Sequence, residues 1–373
     1  MVQAANAGDD IEKFNGILSP GFINAHCHLE LSHMKGYIPE NTGLIEFVLK
    51  VIFERHFNEE IILNAIAAAE NEMLQNGIVA VGDICNNTLT IPQKSKQQLQ
   101  YHNFIEASGF TAAVTESRFN RSVDIYNQYT LLFPASSITP HAPYSVSPKL
   151  FKLIDEFPNN NILTIHNQET AAENELFKNK QGDFLRMYEQ LNINISSFNP
   201  SGKTSLQTFL PALKHYQSLI LVHNVDTTVE DIQFERHTTA NRQQAMVATQ
   251  PSTLNLKPQT FYCLCPNANL YIGNTLADVN LLVQEQCNIV LGTDSLAANQ
   301  QLSILEEMKT VQRYFPSLPT ATLLQWATLN GASALQMGDA LGSFEKGKKP
   351  GIVLIEGTEK TSLTVSSTSK RIL

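Results

Sequence analysis

The chain has 373 residues, of which 43% are hydrophobic and 16% charged, and its 35 acidic and 26 basic residues give a formal net charge of −9. This balance is typical of a well-packed globular enzyme and excludes a disordered chain. The basic residues form no block that could follow a phosphate backbone, so we expect a small-molecule substrate and no nucleic acid polymer as partner.

Cysteine usage and apolar runs indicate the compartment. The five cysteines are scattered, odd in number and form no CxxC motif, which predicts a reducing environment without a disulfide framework. No apolar run approaches about 18 residues and no basic-then-apolar leader occurs, so we expect neither a membrane span nor export. These features favour a cytoplasmic protein with no membrane partner, and a homodimer is left open.

Apolar runs that suit strands buried on both faces alternate along the chain with segments of helical spacing. Strands are predicted at 22–28, 78–84, 103–107, 136–139, 162–165, 219–222, 261–265 and 288–291. Helices are predicted at 42–55, 59–75, 124–132, 148–156, 171–177, 204–215 and 321–337. Eight such β/α units predict an α/β fold, a (β/α)8 TIM barrel over residues 19–338 whose active site lies at the carboxyl ends of the strands.

Two parts of the chain depart from this rhythm. Residues 235–260 are rich in Gln, Thr and Asn and are longer than a βα connection needs, so we expect an extra loop or helix over one rim, without an assigned role. Residues 339–373 are predicted as turns and strands that form a small β-sandwich appendage with residues 1–18. Only 25 residues precede His26, so this sandwich is incomplete, is built mainly from the C-terminal tail, or reflects a truncated start.

Histidines and carboxylates follow several of the predicted strands. His26 and His28 end the first strand, where alternation points both imidazoles to the same side. Neutral imidazole suits zinc or ferrous iron. Further candidates stand at the ends of later strands: His141, His166, Glu169, His223 and Asp294. Each could be an ordinary polar residue at a strand end, but all fall in the register of one barrel rim, which predicts a metal site there.

Six motifs together form a set that is typical of one superfamily. They are His26-x-His28 after Pro20-Gly21-Phe22, His166 with Glu169, His223, Gly292-Thr293-Asp294-Ser295, and the pair Pro140-His141-Ala142-Pro143-Tyr144 and Cys265-Pro266-Asn267-Ala268-Asn269. From about Leu18 to Ile355 the chain resembles the amidohydrolase superfamily. Within it, His166 with Glu169 and the last pair of motifs are similar to the mononuclear deaminases. That branch acts on adenine-type nucleosides, guanine and aminofutalosine.

The resemblance implies one divalent metal ion, with zinc expected and ferrous iron as the alternative. Its ligands would be His26, His28, His166 and Asp294. A metal ion with three imidazole ligands and one carboxylate ligand keeps room for a bound water, and the metal lowers the pKa of this water toward about 7. By resemblance, Glu169 protonates the ring nitrogen of the substrate, His223 orients the water and stabilises the oxyanion, and Asp294 relays a proton to the departing ammonia.

The resemblance also implies substrate contacts, each with a structural alternative. His141 would contact the substrate beside the metal with Tyr144 as a wall, or would brace its own loop. Glu30 and Ser32 lie where related enzymes bind the ribose or side group, or belong to a solvated loop. Arg118 would meet an acidic substituent, or would form a surface salt bridge.

Binuclear relatives carry a carboxylated lysine after the fourth strand. Here that strand ends in Thr139-Pro140-His141, and the next lysine, Lys149, is too far along the chain. We therefore predict one metal ion per chain.

The leading functional prediction is a metal-dependent aminohydrolase, a hydrolase of carbon–nitrogen bonds other than peptide bonds, that deaminates a purine-like base or nucleoside. One alternative is a related hydrolase acting on another C–N or a C–halogen bond. The other is a non-catalytic binding barrel, which is disfavoured because Glu169 and Asp294 are both present.

Overall fold

The computed structural model describes residues 11–249 and 258–373. Its strands are β1 Ile17–Ser19, β2 Phe22–Cys27, β3 Ile78–Cys85, β4 Gln100–Ala107, β5 Ser136–Pro140, β6 Ile162–Asn167, β7 Ser218–His223, β8 Gln259–Leu264, β9 Asn288–Leu291, β10 Val353–Glu356 and β11 Thr368–Arg371. Strands β2 to β9 each overlap one of the eight predicted strands. They form two parallel four-stranded ladders, β2 to β5 and β6 to β9.

Backbone hydrogen bonds join the two ladders at one side of the barrel. The N–H of His166 in β6 donates to the carbonyl of His141 after β5 at 3.0 Å. Two residues earlier on each strand, the N–H of Thr164 donates to the side-chain oxygen of Thr139 at 2.8 Å. Strands β5 and β6 are therefore neighbours around the barrel.

The first and last strands of the barrel, β2 and β9, meet at the other seam. The N–H groups of Thr293 and Asp294, just after β9, both donate to the carbonyl of His26 at 3.1 Å. Asp294 also forms a parallel bridge with Cys27. Below it, Asn24 Nδ2 donates to Thr293 Oγ1 at 2.7 Å, and Asn24 Oδ1 accepts from the N–H of Thr293 at 3.0 Å. These bonds close the sheet into the predicted (β/α)8 barrel.

The helices lie around this barrel. They are α1 Leu44–Glu54, α2 Glu59–Gln75, α3 Ile91–Lys94, α4 Thr115–Thr130, α5 Pro148–Asp155, α6 Ala171–Asn179, α7 Phe184–Gln190, α8 Ser205–Phe209, α9 Val229–Thr249, α10 Pro266–Gly273, α11 Val279–Gln284, α12 Ile304–Tyr314, α13 Thr320–Gln325 and α14 Gly331–Ala334. A π-helical turn, Trp326–Asn330, joins α13 to α14. The predicted helices at 59–75 and 148–156 have nearly the predicted bounds.

Other helix predictions need correction. The predicted helix at 204–215 is the short α8 followed by a 3₁₀ turn at Leu210–Ala212, because Pro211 lies in this turn and has no N–H for a continued helix. The segment 235–260 is not an added element in its described part: α9 begins at Val229 and is the barrel helix between β7 and β8. Residues 250–257 lie outside the described residues.

The predicted appendage is a three-stranded antiparallel sheet in the order β1, β10, β11. Leu18 pairs with Leu354, which pairs with Lys370 on the other side. The sheet docks on the turn between α2 and β3, where Ser369 Oγ donates to the carbonyl of Asn76 at 3.0 Å. The two ends of the chain thus form one small sheet.

Two further expectations concern the whole chain. All five cysteines are free, as expected. In the part of the chain that the structure describes, no helix combines the length and apolarity that crossing a bilayer requires.

Candidate active site

The four predicted metal ligands converge at the carboxyl ends of the strands. The Nε2 atom of His28 lies 3.2 Å from that of His26 and 3.3 Å from that of His166. Asp294 Oδ1 lies 3.4 Å from His28 Nε2 and 3.8 Å from His26 Nε2. A tetrahedral ion with ligands at about 2.0–2.1 Å would place its ligand atoms roughly 3.3 Å apart. These donors fit such a metal ion.

Backbone geometry holds these ligands in place. His166 Nδ1 donates to the carbonyl of His141 at 2.8 Å, which leaves Nε2 bare and turned to the cluster. Asp294 has a positive φ of 55°. The preceding Gly292 allows the close approach, because a Cβ there would lie 2.9 Å from the carbonyl oxygen of His26. The last strand can therefore deliver a carboxylate against the first.

Burial keeps the imidazoles of the cluster neutral at neutral pH. It lowers the pKa of His26 and His28 well below the usual value, and neighbouring imidazoles lower both further. Burial also lowers the pKa of His166 to about 3 and that of His141 to about 4. Neutral imidazole is the form that binds metal.

Glu169 and His223 face each other beside the cluster. His223 Nε2 is 3.5 Å from Glu169 Oε1, while its Nδ1 lies 2.6 Å from Asn269 Oδ1. Burial raises the pKa of Glu169 to about 8. The Glu173 carboxylate fixes the loop by accepting from the N–H groups of Gln168 at 3.0 Å and Glu169 at 3.4 Å. The two predicted catalytic groups are thus adjacent. Asn269 orients His223, and Glu173 fixes the loop that carries Glu169.

His223 also lies within metal-binding range. The ring nitrogens of His26, His166 and His223 lie within 4.8 Å of one another, as do the ligand atoms of His26, His28 and Asp294. Burial raises the pKa of Asp294 to about 6. The two overlapping groups share His26, so both belong to one cluster.

His141 and Tyr144 lie next to the cluster as predicted. The His141 ring is 4.9 Å from the His166 ring, and the Tyr144 ring stands perpendicular to His141 at 5.8 Å. His141 Nδ1 is 2.7 Å from Ser145 Oγ. His141 therefore both braces its loop and keeps Nε2 free.

The other three predicted substrate contacts differ in placement. Glu30 and Ser32 lie buried in a 3₁₀ turn, Leu29–Met34, directly after the histidine pair. Ser32 Oγ is used inside this turn, where it donates to the carbonyl of Leu29 at 2.7 Å. Arg118 lies on the exposed surface of α4, and the structure does not bring it to the cluster.

Several residues near the cluster were not predicted from the sequence. Glu106 lies in β4, and its Oε1 is 3.8 Å from His166 Nδ1. Asn86 follows β3 and donates to the carboxylates of both Glu30 and Glu106. Glu106 stands near the end of an apolar strand, which is the signal that identified the histidines. Asn86 carries no such signal.

A cavity of about 450 Å³ opens beside the cluster. Its lining includes Glu169 and Asn269 as well as Thr42 and Glu46 at the start of α1. Clefts of this size hold small organic molecules. The carboxyl group of Glu169 is therefore reachable by a small molecule.

Known proteins resemble this chain over most of its length. The chain is 25% identical over 362 residues to a 5-methylthioadenosine/S-adenosylhomocysteine deaminase of Thermococcus sibiricus, covering 91% of this chain and 74% of that relative. The aminofutalosine deaminase of Helicobacter pylori in complex with methylthio-coformycin superimposes with a TM-score of 0.77 at 21% identity, covering 96% of this chain and 87% of that one.

A second solved structure, an adenosine deaminase of Xanthomonas campestris with bound zinc, has a TM-score of 0.63 at 23% identity, and the match covers 91% of this chain and 72% of that one. The names of these relatives agree with the predicted deaminase branch. The profile described as the amidohydrolase family matches residues 17–373. Since this match runs from the start of β1 to the last residue, the chain belongs to the amidohydrolase family.

Proposed function

We propose that the chain is a metal-dependent aminohydrolase that removes the exocyclic amine of a purine-like base or nucleoside as ammonia. One observation carries this proposal: the four candidate ligands converge within 3.2–3.8 Å, with the facing Glu169–His223 pair next to them. This set provides a metal shell, a proton donor and a second base in one place. The deaminase names of the relatives support the reaction.

The metal would be held by His26, His28, His166 and Asp294. A divalent ion in such a shell lowers the pKa of a bound water to about 7 and so supplies a hydroxide nucleophile at neutral pH. Zinc fits three imidazoles and one carboxylate, and ferrous iron is the alternative. The zinc in the Xanthomonas relative supports the first choice.

Three side chains then divide the proton transfers. Glu169 stays protonated near neutral pH because burial raises its pKa to about 8, so it can donate to the ring nitrogen. His223 donates through Nδ1 to Asn269, so neutral Nε2 accepts a hydrogen bond and can orient the attacking water. Asp294 can pass a proton to the departing amine, because burial raises its pKa to about 6.

The substrate would lie between the cluster and the cavity. His141 Nε2 and the Tyr144 ring offer a polar contact and a wall next to His166. The relatives named above act on nucleosides of the adenosine type. We therefore expect a base held at the cluster and a side group that extends along the barrel mouth.

The test is ammonia release from adenosine, methylthioadenosine, S-adenosylhomocysteine, guanine and aminofutalosine. We expect release from at least one of them, loss of this activity on chelation, and its return with about one equivalent of zinc per chain by elemental analysis. Ammonia from none of the five, with metal bound, would contradict the deaminase and favour hydrolysis of another bond. Two tightly bound ions per chain would contradict the mononuclear site.

A further inference from the structure

Three acidic side chains line the cavity that opens beside Glu169. They are Glu46 in the first turn of α1, Asp183 just before α7 and Asp226 after β7. Among the described residues, the lining contains no lysine, arginine or histidine. A molecule that enters the cavity therefore meets carboxylates and no basic side chain in its wall. We call Glu46, Asp183 and Asp226 the acidic wall.

Two carboxylates of the acidic wall share one guanidinium. Arg186 in α7 contacts Glu46 through Nη1, and it holds Asp183 with two bonds, Nε to Oδ1 at 2.8 Å and Nη2 to Oδ2 at 3.0 Å. The hydrogen bonds from Arg186 lower the pKa of Asp183, so this carboxyl group stays ionised at neutral pH. One positive charge thus offsets one of two negative charges.

The third carboxylate has no cationic partner. Asp226 is half-buried, its Oδ2 accepts from Asn174 Nδ2 at 2.7 Å, and no ion pair of the described residues includes it. Its N–H donates to the carbonyl of Gln168 at 2.9 Å, which fixes it beside the loop that carries Glu169. Three carboxylates against the guanidinium of Arg186 leave two negative charges uncompensated.

The amino-terminal end of α1 opposes this charge only in part. Gly43, Leu44 and Ile45 line the cavity, and the cap residue Gly43 has no side chain that could accept from the first N–H groups. A helix amino terminus acts as roughly half a positive charge. Two uncompensated carboxylates outweigh it, so the cavity keeps a negative charge.

Two other arginines do not compensate the acidic wall. Arg118, which was expected to meet an acidic substituent, lies on the exposed surface of α4. Arg55 follows α1 and does not line the cavity, and its positive charge acts on the buried carboxyl groups of Glu30 and Glu106. An anionic group in the cavity would therefore lose water without gaining a cation.

Unpartnered polar atoms at Glu169 indicate that the cavity receives a ligand. The Glu169 side chain is 8% exposed, and His223 Nε2, which lies 3.5 Å from its Oε1, is buried without a hydrogen-bond partner among the described residues. Buried polar atoms of this kind need partners, and a bound molecule can supply them. Because Asp226 is fixed next to this loop, a substituent on that molecule comes near the acidic wall.

We propose that the acidic wall selects nucleosides whose sugar substituent is neutral or cationic, and that it disfavours those with a carboxylate or a phosphate. This inference rests on the proposed function, because the base must lie at Glu169 for its substituent to reach the wall. Glu46 and Asp226 then determine specificity through their charge and take no part in the chemical step.

The first experiment compares probes of matched shape on the zinc-loaded wild-type chain. Adenosine 5′-carboxylate is compared with adenosine 5′-carboxamide, and 5′-amino-5′-deoxyadenosine with adenosine, so that each pair differs by one charge. Ammonia release gives kcat/KM, and calorimetry gives Kd. At low salt we expect each added negative charge to lower kcat/KM by about tenfold. In about 1 M NaCl, where the Debye length is about 3 Å, the ratios should approach unity.

The outcomes separate this inference from the proposed function. Equal kcat/KM for the carboxylate and the carboxamide, or a preference for the carboxylate, would overturn the acidic wall. If none of the four probes releases ammonia, the proposed function fails and the Kd values decide. The expected order of Kd then still supports the wall, whereas any other order, or no binding at all, overturns it.

The second experiment changes the charge of the wall in both directions. Asp226→Asn and Glu46→Gln should each raise kcat/KM for the carboxylate relative to the carboxamide, by about 3- to 10-fold. The Glu46 side chain is 46% exposed, so this variant serves if Asp226→Asn does not fold. Arg186→Gln should lower the same ratio, because it removes the cation and leaves both carboxylates.

Opposite signs distinguish a role of charge from a structural role, which would lower activity on both probes alike. Glu189→Gln, at an exposed position of the helix α7 that carries Arg186, is the matched control and should keep the wild-type ratio. Folded, zinc-loaded variants of Asp226 and Glu46 with the wild-type ratio, or a raised ratio in Arg186→Gln, would contradict the proposal.

Discussion

Glu169 is the residue on which the proposed proton transfers depend most directly. Glu169→Gln keeps the size of the side chain but removes the proton that burial retains on the carboxyl group. We expect kcat to fall by about 10²- to 10⁴-fold, the usual contribution of general acid–base catalysis. Steady-state ammonia release measures the effect.

Two comparisons make this result specific. Bound metal should be unchanged in Glu169→Gln, because the residue lies beside the ligands and not among them. Glu175→Gln, an exposed position on α6, the helix that begins two residues after Glu169, should retain wild-type kcat. Loss of metal from Glu169→Gln would assign the residue to the shell instead.

His102 makes the stability of the fold depend on pH, and this ring lies apart from the histidine cluster. Burial in the barrel lowers its pKa from 6.5 to about 3, and its Nε2 lies 3.0 Å from Ser137 Oγ. The folded state holds this ring neutral while the unfolded chain protonates it. The stability it contributes is therefore complete above pH 6.5 and is lost as pH falls toward 3.

In His102→Gln this loss should disappear. Between pH 5.5 and 4 the free energy of unfolding should fall less steeply than in the wild type, by about 1.4 kcal/mol per pH unit. Urea unfolding at a series of pH values measures the slopes, with His237→Gln, an exposed histidine, as the control. Parallel slopes for wild type and His102→Gln would refute a neutral buried ring.

The sequence identified the histidines and Asp294 of the cluster, and it missed Glu106 and Asn86. His26 and His28 alternate on one strand, and His166, His223 and Asp294 each follow an apolar run, so their convergence follows from the barrel alone. Asn86 could not be predicted in this way. It acts through both its N–H and its side chain, and only the folded turn places the carboxylates of Glu30 and Glu106 on either side of it.

At the scale of elements, a buried ion pair ties three of them together. Lys94 Nζ in α3 lies 2.5 Å from Asp83 Oδ2 in β3 and 2.7 Å from Asn103 Oδ1 in β4. The side chains of Lys94 and Asp83 are both fully buried. Asp83 Oδ1 also accepts from the N–H of Leu29 at 2.8 Å. This N–H follows His28 directly, so the pair also anchors the turn that begins next to a proposed metal ligand.

Lys94→Met should be strongly destabilising. It leaves the Asp83 carboxylate buried without its partner, which costs about 3–5 kcal/mol. Urea unfolding measures this loss, and zinc affinity should fall with it because the turn after β2 loses its anchor. Lys149→Met breaks an exposed pair with Glu116 and should change stability little. Equal effects of the two substitutions would argue against the buried pair as an anchor.

The strands were easier to predict than the helices for a physical reason. In β3 and β7 every residue is buried, so each reads as a continuous apolar run. The predicted start of helix α4 was nine residues too late, because two of its buried positions are Thr115 and Ser122, which are not apolar. Helix α10 begins with Pro266 and was seen only as a motif.

At the scale of the whole molecule, the appendage and the barrel meet at Gly77. This residue has a φ of +86°, and a Cβ there would lie 2.6 Å from Cγ2 of Val353 in β10. Gly77→Ala therefore adds a steric clash at the joint to the cost of a left-handed conformation. Gly36→Ala is the control, since Gly36 has a φ of +68° and no described atom would lie within 4 Å of its Cβ.

The two substitutions should separate these costs. Gly36→Ala should lose about 1–2 kcal/mol for the left-handed backbone alone, and Gly77→Ala a further 1–3 kcal/mol, roughly, for overpacking. Thermal or urea unfolding gives the difference. If both lost the same amount, the sheet of the two chain ends would not be tightly docked on the barrel.

The seam between the first and last strands has a consequence for how the protein matures. Asn24 and Thr293, which bond across it, are 269 positions apart. A ribosome therefore releases His26 and His28 long before it makes Asp294, the carboxylate of the proposed metal shell. If that shell binds the ion, a nascent chain cannot complete it until the residues after β9 are made, and capture of the ion would belong to the final stage of biogenesis.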